Sequence, residues 1–370
     1  MEDSVIDDIL KLAFTKKASD IHIKAGKNPI FRINGQLIPS IDFPRLTPED
    51  TLKIAGMVMS NHVKAKFKEQ YEADFSYSVA GFARFRVNAY IQRGTVALVF
   101  RVIPHEIPSL DSLGLPKVIS KIAEEQRGLI LVTGTTGSGK STTLAGMIDY
   151  INTNDDVNII TIEDPIEFLH RDKKSIISQR EIGTDTLSFA EALKRSLRQD
   201  PDVILVGEMR DLETIETALH AAETGHLVMS TLHTLDAPET INRIISIFPP
   251  YHQKQVRIQL ASVLRAIISM RLVQRKDGTG RIPAVEVMIN TATIKECIID
   301  KDKTQMINDY IEQGKSVYGS QSFDQSLYDL YKADLVTVEE ALKYVKRPDD
   351  FKLKIKGISS SSDTWGVDDR

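Results

Sequence analysis

Gly128-Leu129-Ile130-Leu131-Val132-Thr133-Gly134-Thr135-Thr136-Gly137-Ser138-Gly139-Lys140-Ser141-Thr142-Thr143-Leu144-Ala145-Gly146-Met147-Ile148 is the segment around which the rest of the chain is organised. Leu129 to Val132 has the length and composition of a strand buried on both faces. Gly134 to Ser141 fits G-x-x-x-x-G-K-[ST], and Thr142 to Ile148 continues as a helix. Strand, glycine-rich loop and helix together form the context this pattern requires. Glycines let backbone N–H groups wrap an anion closely, and a helix N-terminus adds favourable potential. Lys140 is placed for β- and γ-phosphates, and the Ser141 hydroxyl for Mg²⁺. The expected nucleotide-binding set is Gly134, Thr135, Thr136, Gly137, Ser138, Gly139, Lys140, Ser141 and Thr142, with ATP and Mg²⁺ as the ligands.

Such a loop needs an acidic partner on a neighbouring strand. Asp202-Val203-Ile204-Leu205-Val206-Gly207-Glu208 supplies one: an apolar run ending in a carboxylate. The place usually held by aspartate is Gly207, and Glu208 comes next. Between the two motifs, Ile159 to Ile162 runs into Glu163-Asp164-Pro165, where the proline stops the strand. Carboxylates at the C-terminal end of a parallel strand point into the ligand crevice. Glu163 reads either as a group that orients or deprotonates water, or as a solvated strand end. Gly225-His226 to His233 is a further strand; His233 falls at its ligand end, as a γ-phosphate reader or a structural histidine, and His226 carries the weaker functional reading.

The flanks are of other kinds. Asn34-Gly35 between Ile30-Phe31-Arg32-Ile33 and Leu37-Ile38 predicts a hairpin, and Ala80-Gly81 and Arg93-Gly94 predict turns. In Arg84 to Ile91, alternation places Phe85, Val87, Ala89 and Ile91 on one face and Arg84, Arg86 and Asn88 on the other. Arg101 falls on the next strand. Residue pattern alone leaves these arginines as a solvated face or as cations for phosphoryl oxygens. The expected organisation is an α+β domain over 1–104, a Pro- and Gly-rich hinge over 105–116, an alternating strand–helix core over 117–290 with a parallel sheet covered on both faces, a helical region over 291–356 and a mobile tail over 357–370. Ser188 and Asp236 are expected to cap helices.

Composition narrows the function classes. The chain has 370 residues, 42% hydrophobic and 26% charged, which excludes disordered and collagen-like chains. A net charge of −4 and a pI near 6.1 argue against a nucleic-acid motor. Cys297 is the one cysteine, expected as a small buried group. The acidic start Met1-Glu2-Asp3-Ser4 does not read as an export signal, and the longest apolar runs are far short of the ~20 residues that span a bilayer. A non-hydrolysing nucleotide switch is the remaining rival class, opposed by the full set of glutamates and arginines.

On these four segments, the chain resembles the hexameric ATPases of type II and type IV secretion and pilus machines, closest to their pilus-retraction branch. Ala18-Ser19-Asp20-Ile21-His22-Ile23 looks like that family's N-terminal signature. The resemblance implies an N-terminal PAS-like α+β domain followed by a RecA-like P-loop ATPase domain with a helical C-terminal extension. It maps the Walker A loop to Gly134–Ser141, the Asp box to Glu163 and Asp164, the Walker B strand to Glu208, the His box to His233, and the paired arginines to Arg86 and Arg101. The implied catalytic set is Glu163, Glu208, Arg86, Arg101 and His233, with Ser141 and Glu208 as Mg²⁺ ligands. Glu163 and Glu208 are interchangeable at this level. Implied partners are five further copies in a homohexamer, an inner-membrane pilus platform protein and a paralogous pilus ATPase, with no nucleic acid and no membrane insertion; the implied location is the cytoplasmic face of the pilus base. Extension and secretion members usually carry a tetracysteine insertion, which one cysteine cannot form. Retraction members often carry AIRNLIRE where this chain reads Thr293-Ile294-Lys295-Glu296-Cys297-Ile298-Ile299-Asp300, so an accessory retraction ATPase stands as the alternative.

Overall fold

The computed structural model describes residues 5–79, 81–103 and 106–358. Met1 to Ser4, Ala80 of one predicted turn, Pro104 and His105 at the predicted hinge, and residues 359–370 of the predicted tail lie outside the described residues. The chain divides into two compact units: one comprises 1–106 with 165–169 and 183–185, the other the remainder.

The first unit contains α1 (Val5–Thr15), β1 (Asp20–Lys24), β2 (Ile30–Ile33), β3 (Gln36–Pro39), α2 (Pro48–Val58), α3 (Asn61–Gln70), β4 (Glu72–Val79), β5 (Ala83–Gln92) and β6 (Thr95–Ile103). Its sheet runs β3-β2-β1-β6-β5-β4, antiparallel throughout. Two-residue turns close two of the hairpins. Asn34 and Gly35 have φ of 49° and 82°, and Arg93 and Gly94 have 48° and 77°, the paired positive φ that matches the twist of the flanking strands. One sheet face packs Phe31, Phe85 and Phe100 against Ile6, Ile9 and Leu10 of α1 and Ile54 of α2. Phe85, Val87 and Ala89 point inward as expected; Ile91 is 36% exposed, beside the Arg93-Gly94 turn.

The second unit contains α4 (Val118–Ala123), β7 (Gly128–Thr133), α5 (Lys140–Asn154), β8 (Asn158–Glu163), β9 (Ile176–Glu181), α6 (Phe189–Ser196), β10 (Val203–Val206), α7 (Leu212–Glu223), β11 (Leu227–Leu232), α8 (Ala237–Ser246), α9 (Gln253–Val263), β12 (Leu264–Gln274) and β13 (Arg281–Ile289). The sheet order is β13-β12-β7-β11-β10-β8-β9. Every side chain of β7 is buried. Leu129 and Leu131 pack among residues of α6 to α9, while Ile130 and Val132 pack against α4 and α5, so helices cover both faces. Ser188 Oγ accepts from Glu191 N at 3.3 Å and Asp236 Oδ1 from Glu239 N at 2.9 Å, capping α6 and α8.

The expectation of a parallel sheet needs one correction. β13 pairs antiparallel with β12, because only residues 275–280 connect them and a parallel return needs a crossover of a dozen residues or more. Beyond β13 the chain is helical: α10 (Ala292–Ile299), α11 (Ile307–Gln313), α12 (Lys315–Tyr318), α13 (Phe323–Lys332), α14 (Val338–Ala341) and α15 (Pro348–Ile355). Cys297 is buried in the core beside Ile294 and Ile298. Among the described residues no helix is long and apolar enough to cross a membrane.

A buried carboxylate joins this C-terminal region to the core. Glu286 of β13 accepts from Ala237 N at 2.9 Å and from Ser269 Oγ at 3.3 Å through Oε1. Its Oε2 lies 3.7 Å from Lys346 Nζ, which also donates to Asp236 at 2.8 Å. Complete burial pushes the Glu286 carboxyl up to about 7, with Lys346 offsetting part of the shift. In the unfolded chain this group titrates in the ordinary carboxylate range. Its contribution to stability is therefore full at acid pH and is lost as pH rises from that range through about 7, by roughly 3 kcal/mol at most. Glu286→Gln keeps an acceptor for Ala237 and carries no charge. It is expected to raise Tm at pH 8 more than at pH 5; a lower Tm at pH 8 would show that Lys346 fully compensates the ionised form.

Candidate active site

The loop after β7 is shaped by contacts with β12. Gly134 has φ of 139°, and a Cβ there would lie 2.5 Å from Met270 O and 2.6 Å from Ser138 Oγ. Gly137 and Gly139 also have positive φ, 76° and 99°, conformations that only glycine adopts without strain. Thr143 Oγ1 donates to Met270 Sδ at 3.1 Å, so one residue of β12 braces both ends of the loop. Lys140 is buried, and its ammonium donates to Gly134 O at 2.8 Å and Thr135 O at 2.9 Å. Ser138 Oγ is buried and has no hydrogen-bond partner among the described residues. An unpartnered hydroxyl, an ammonium and a helix N-terminus in one glycine-lined concavity suit an oxyanion.

The other motif residues leave neighbouring strands at the same sheet edge. β7, β11, β10 and β8 are consecutive and parallel, and the loop, His233, Glu208 and Glu163 stand at or just beyond their C-terminal ends. His233 is thus carried by the strand between the loop and Glu208. Its Nε2 lies 3.2 Å from Glu208 Oε1, while Arg210 Nη2 lies 2.6 Å from Glu208 Oε2. Burial alone raises the Glu208 carboxyl, but Arg210 and His233 outweigh it and hold the group below the usual carboxylate range. Gly207 permits this placement. Its N–H donates to Ile162 O at 2.7 Å, and a Cβ would come within 3.2 Å of that same oxygen. Any side chain at this position would crowd β8, and the carboxylate stands one residue later, at Glu208. Glu163 Oε1 accepts from Thr161 Oγ1 at 2.6 Å and from Gln179 Nε2 at 3.1 Å. His226 lies at the opposite end of β11, its Nδ1 2.9 Å from Ala221 O, which fits a structural histidine.

In the first unit Arg86 and Arg101 are direct cross-strand partners, both exposed on the sheet face away from the phenylalanine core. Arg101 Nε donates to Asp20 Oδ1 at 2.9 Å.

Comparison with known proteins places these motifs in a family. The description "Type II/IV secretion system protein" matches residues 2–326. The chain belongs to the type II/IV secretion system protein family. It is 44% identical over 346 residues to the type IV pilus retraction ATPase PilT of Pseudomonas aeruginosa, covering 94% of this chain and 99% of the relative. It is 42% identical over 357 residues to the type IV pilus ATPase PilU of the same organism, covering 96% and 92%. The crystal structure of the pilus retraction motor PilT with bound ADP superposes with a TM-score of 0.84 at 50% identity, over 94% of this chain and 98% of the other. The architecture of this family member is thus an N-terminal α+β unit and a RecA-like ATPase unit.

Three contributors escape motif reading. Arg210 sits two residues beyond Glu208, and the spacing alone does not show that it folds back. Met270 acts through its backbone carbonyl, which any residue carries. Asp20 lies 81 positions from Arg101; its only local signal is its place in the Ala18-Ser19-Asp20 stretch.

The loop makes a paired prediction. Gly137 has nothing within 4 Å of an added Cβ, so Gly137→Ala is expected to cost only the backbone term, about 1–2 kcal/mol. Gly134→Ala adds a clash with a buried carbonyl and is expected to cost several kcal/mol, roughly 3 or more. Urea unfolding of the two variants checks the order; equal losses would show that β12 does not confine the loop.

Proposed function

We propose that this chain is a cytoplasmic ATP-hydrolysing motor, a ring of six copies docked at the inner-membrane base of the pilus machine, that retracts type IV pili and so powers twitching motility. The observation that carries this reading is the placement of the loop, His233, Glu208 and Glu163 on four consecutive parallel strands. The likeness to PilT over nearly the whole of both chains supports the direction of work. The organisation we propose is an N-terminal PAS-like domain over 1–104, an interdomain linker over 105–116, a RecA-like ATPase core over 117–290, a C-terminal helical region over 291–356 and a tail over 357–370.

In this reading the residues 134–142 cradle the phosphates, with Lys140 donating to the β- and γ-phosphoryl oxygens. Ser141 and Glu208 supply the oxygen donors that a hard cation prefers. Bound Mg²⁺ would neutralise charge that builds on the phosphates. Arg210 and His233 keep Glu208 ionised, so it is a poor proton acceptor. Glu163, held by Thr161 and Gln179, is left to orient the attacking water and take its proton. Arg86 and Arg101 donate to the transferring phosphoryl oxygens, on the nucleotide of their own subunit or of a neighbour. Loss of those contacts after hydrolysis releases the N-terminal domain, and successive releases around the ring drive the platform protein and draw pilin back.

A second reading, the accessory retraction ATPase, rests on Thr293 to Asp300. The two isoleucines shared with AIRNLIRE, Ile294 and Ile298, are buried, whereas Glu296 and Ile299 are exposed. The departures therefore fall largely on the surface of α10.

Lys140→Ala in the purified protein is expected to reduce ATP turnover by about a hundredfold or more with the fold intact; retained turnover would falsify the assignment. Arg86→Ala is expected to lower kcat far more than it raises KM, since the contact forms in the transition state; a change confined to KM counts against that role. Deleting the gene is expected to leave abundant pili that do not retract. Failure only under load would favour the accessory reading, and bald cells would reverse the direction of the motor.

A further inference from the structure

The exposed face of the N-terminal sheet carries a row of charges in direct cross-strand register. Arg32 on β2, Asp20 on β1, Arg101 on β6 and Arg86 on β5 are successive partners. One carboxylate thus stands among three guanidinium groups, and it does not share itself equally. Oδ1 takes Arg101 Nε at 2.9 Å; Oδ2 takes the Ser19 hydroxyl at 2.8 Å and lies 3.9 Å from Arg32 Nε. Arg32 has another anchor, donating through Nη1 to Gly35 O at 2.9 Å. The asymmetry in exposure is large: the Asp20 side chain is 10% exposed and that of Arg101 70%.

A salt bridge to so exposed a cation adds little to stability, and burying a carboxylate opposes folding. What the pair does achieve is orientation. A guanidinium has five N–H donors in a rigid fork. With Nε taken by Asp20, the four N–H groups on the two terminal nitrogens remain to donate outward. Without that anchor, Arg101 would lose its rotamer freedom only on meeting its ligand, beside the like charge of Arg86 on the adjoining strand.

We propose that Asp20 is a positioning residue for Arg101, holding its guanidinium by Nε so that the terminal nitrogens are presented to the phosphoryl oxygens. This rests on the reading above that Arg101 acts on the nucleotide. Burial pushes the Asp20 carboxyl up, but the hydrogen bonds from Ser19 and Arg101 prevail and keep it below the usual carboxylate range. The anchor is therefore ionised at neutral pH.

The test is a double-mutant cycle on ATP turnover by the full-length protein, with Asp20→Ala, Arg101→Ala and the double variant, and melting temperatures alongside. Asp20→Ala is expected to lower kcat by about ten- to a hundredfold, with KM changed far less. In the Arg101→Ala background the same substitution is expected to have no further effect, because nothing remains to position. Asp20→Asn, which keeps the shape and one acceptor oxygen, is expected to retain intermediate turnover and carries the same cycle should Asp20→Ala fail to fold. Losses that multiply in the double variant would overturn the proposal and make Asp20 a structural residue. Unchanged kcat in Asp20→Ala, with turnover lost in Arg101→Ala, would overturn it while sparing Arg101. Unchanged kcat in Arg101→Ala would remove the role of Arg101 and the proposal with it.

Discussion

Strand β7 is buried on both faces, so its backbone N–H and C=O groups have only β11 and β12 to pair with. That constraint governs the path of the chain beyond the strand. The chain must leave β7 at the C-terminal edge of a parallel sheet and turn immediately into α5, whose side chains pack back on the face that Ile130 and Val132 present. The turn has no room for side chains where it passes Met270, which is why Gly134 stands there. A loop so confined leads directly into the N-terminus of α5, and the same geometry that closes the core leaves a glycine-lined concavity of the kind that suits an anion.

The electrostatics of the edge derive from the order of the strands. β11 lies between β7 and β10, so a histidine at its end stands between the loop and the carboxylate after β10. Contact between His233 and Glu208 therefore needs only adjacent parallel strands and the position of Glu208 one residue beyond Gly207. Arg210 closes the other side of Glu208. Glu208 is thus held from both sides, by the Arg210 guanidinium and by the His233 ring. A 3.2 Å contact thus joins the end of β11 to the carboxylate that follows β10.

Local signals are legible in the sequence and long-range ones are not. Asn34-Gly35 and Arg93-Gly94 mark their turns because a two-residue hairpin requires positive φ at both positions. Ser188 and Asp236 mark helix starts because an orphan N–H must find an acceptor within three residues. The glycine-rich loop after β7 is legible because its strand, glycines and helix are contiguous. By contrast, Glu286 meets Ala237 across 49 residues and Asp20 meets Arg101 across 81, and no periodicity encodes either pair. The antiparallel β13 escapes for a different reason: its apolar pattern is that of any buried strand, and direction is carried only by the length of the connection before it. Ile91 shows the limit of alternation itself, which fixes the face of a side chain but not whether the strand's end is covered.

The same distinction bears on how members of this family differ in task. Ile294 and Ile298 of α10 are held by the core, along with Cys297, so any member with this architecture needs apolar groups at those positions whatever it does. Lys295, Glu296 and Ile299 have no such obligation; they lie on the exposed side of the helix. Asp300 is partly committed, since its carboxylate accepts from Asp302 N at 3.1 Å and starts the next turn of chain. Residues free of packing duties vary without cost to the fold, and a surface that loses an arginine and gains an exposed isoleucine presents different chemistry to whatever meets it. If the motor core is common to main and accessory retraction ATPases, the difference between them is to be sought on such surfaces, where partners are chosen, and not among the residues that handle ATP.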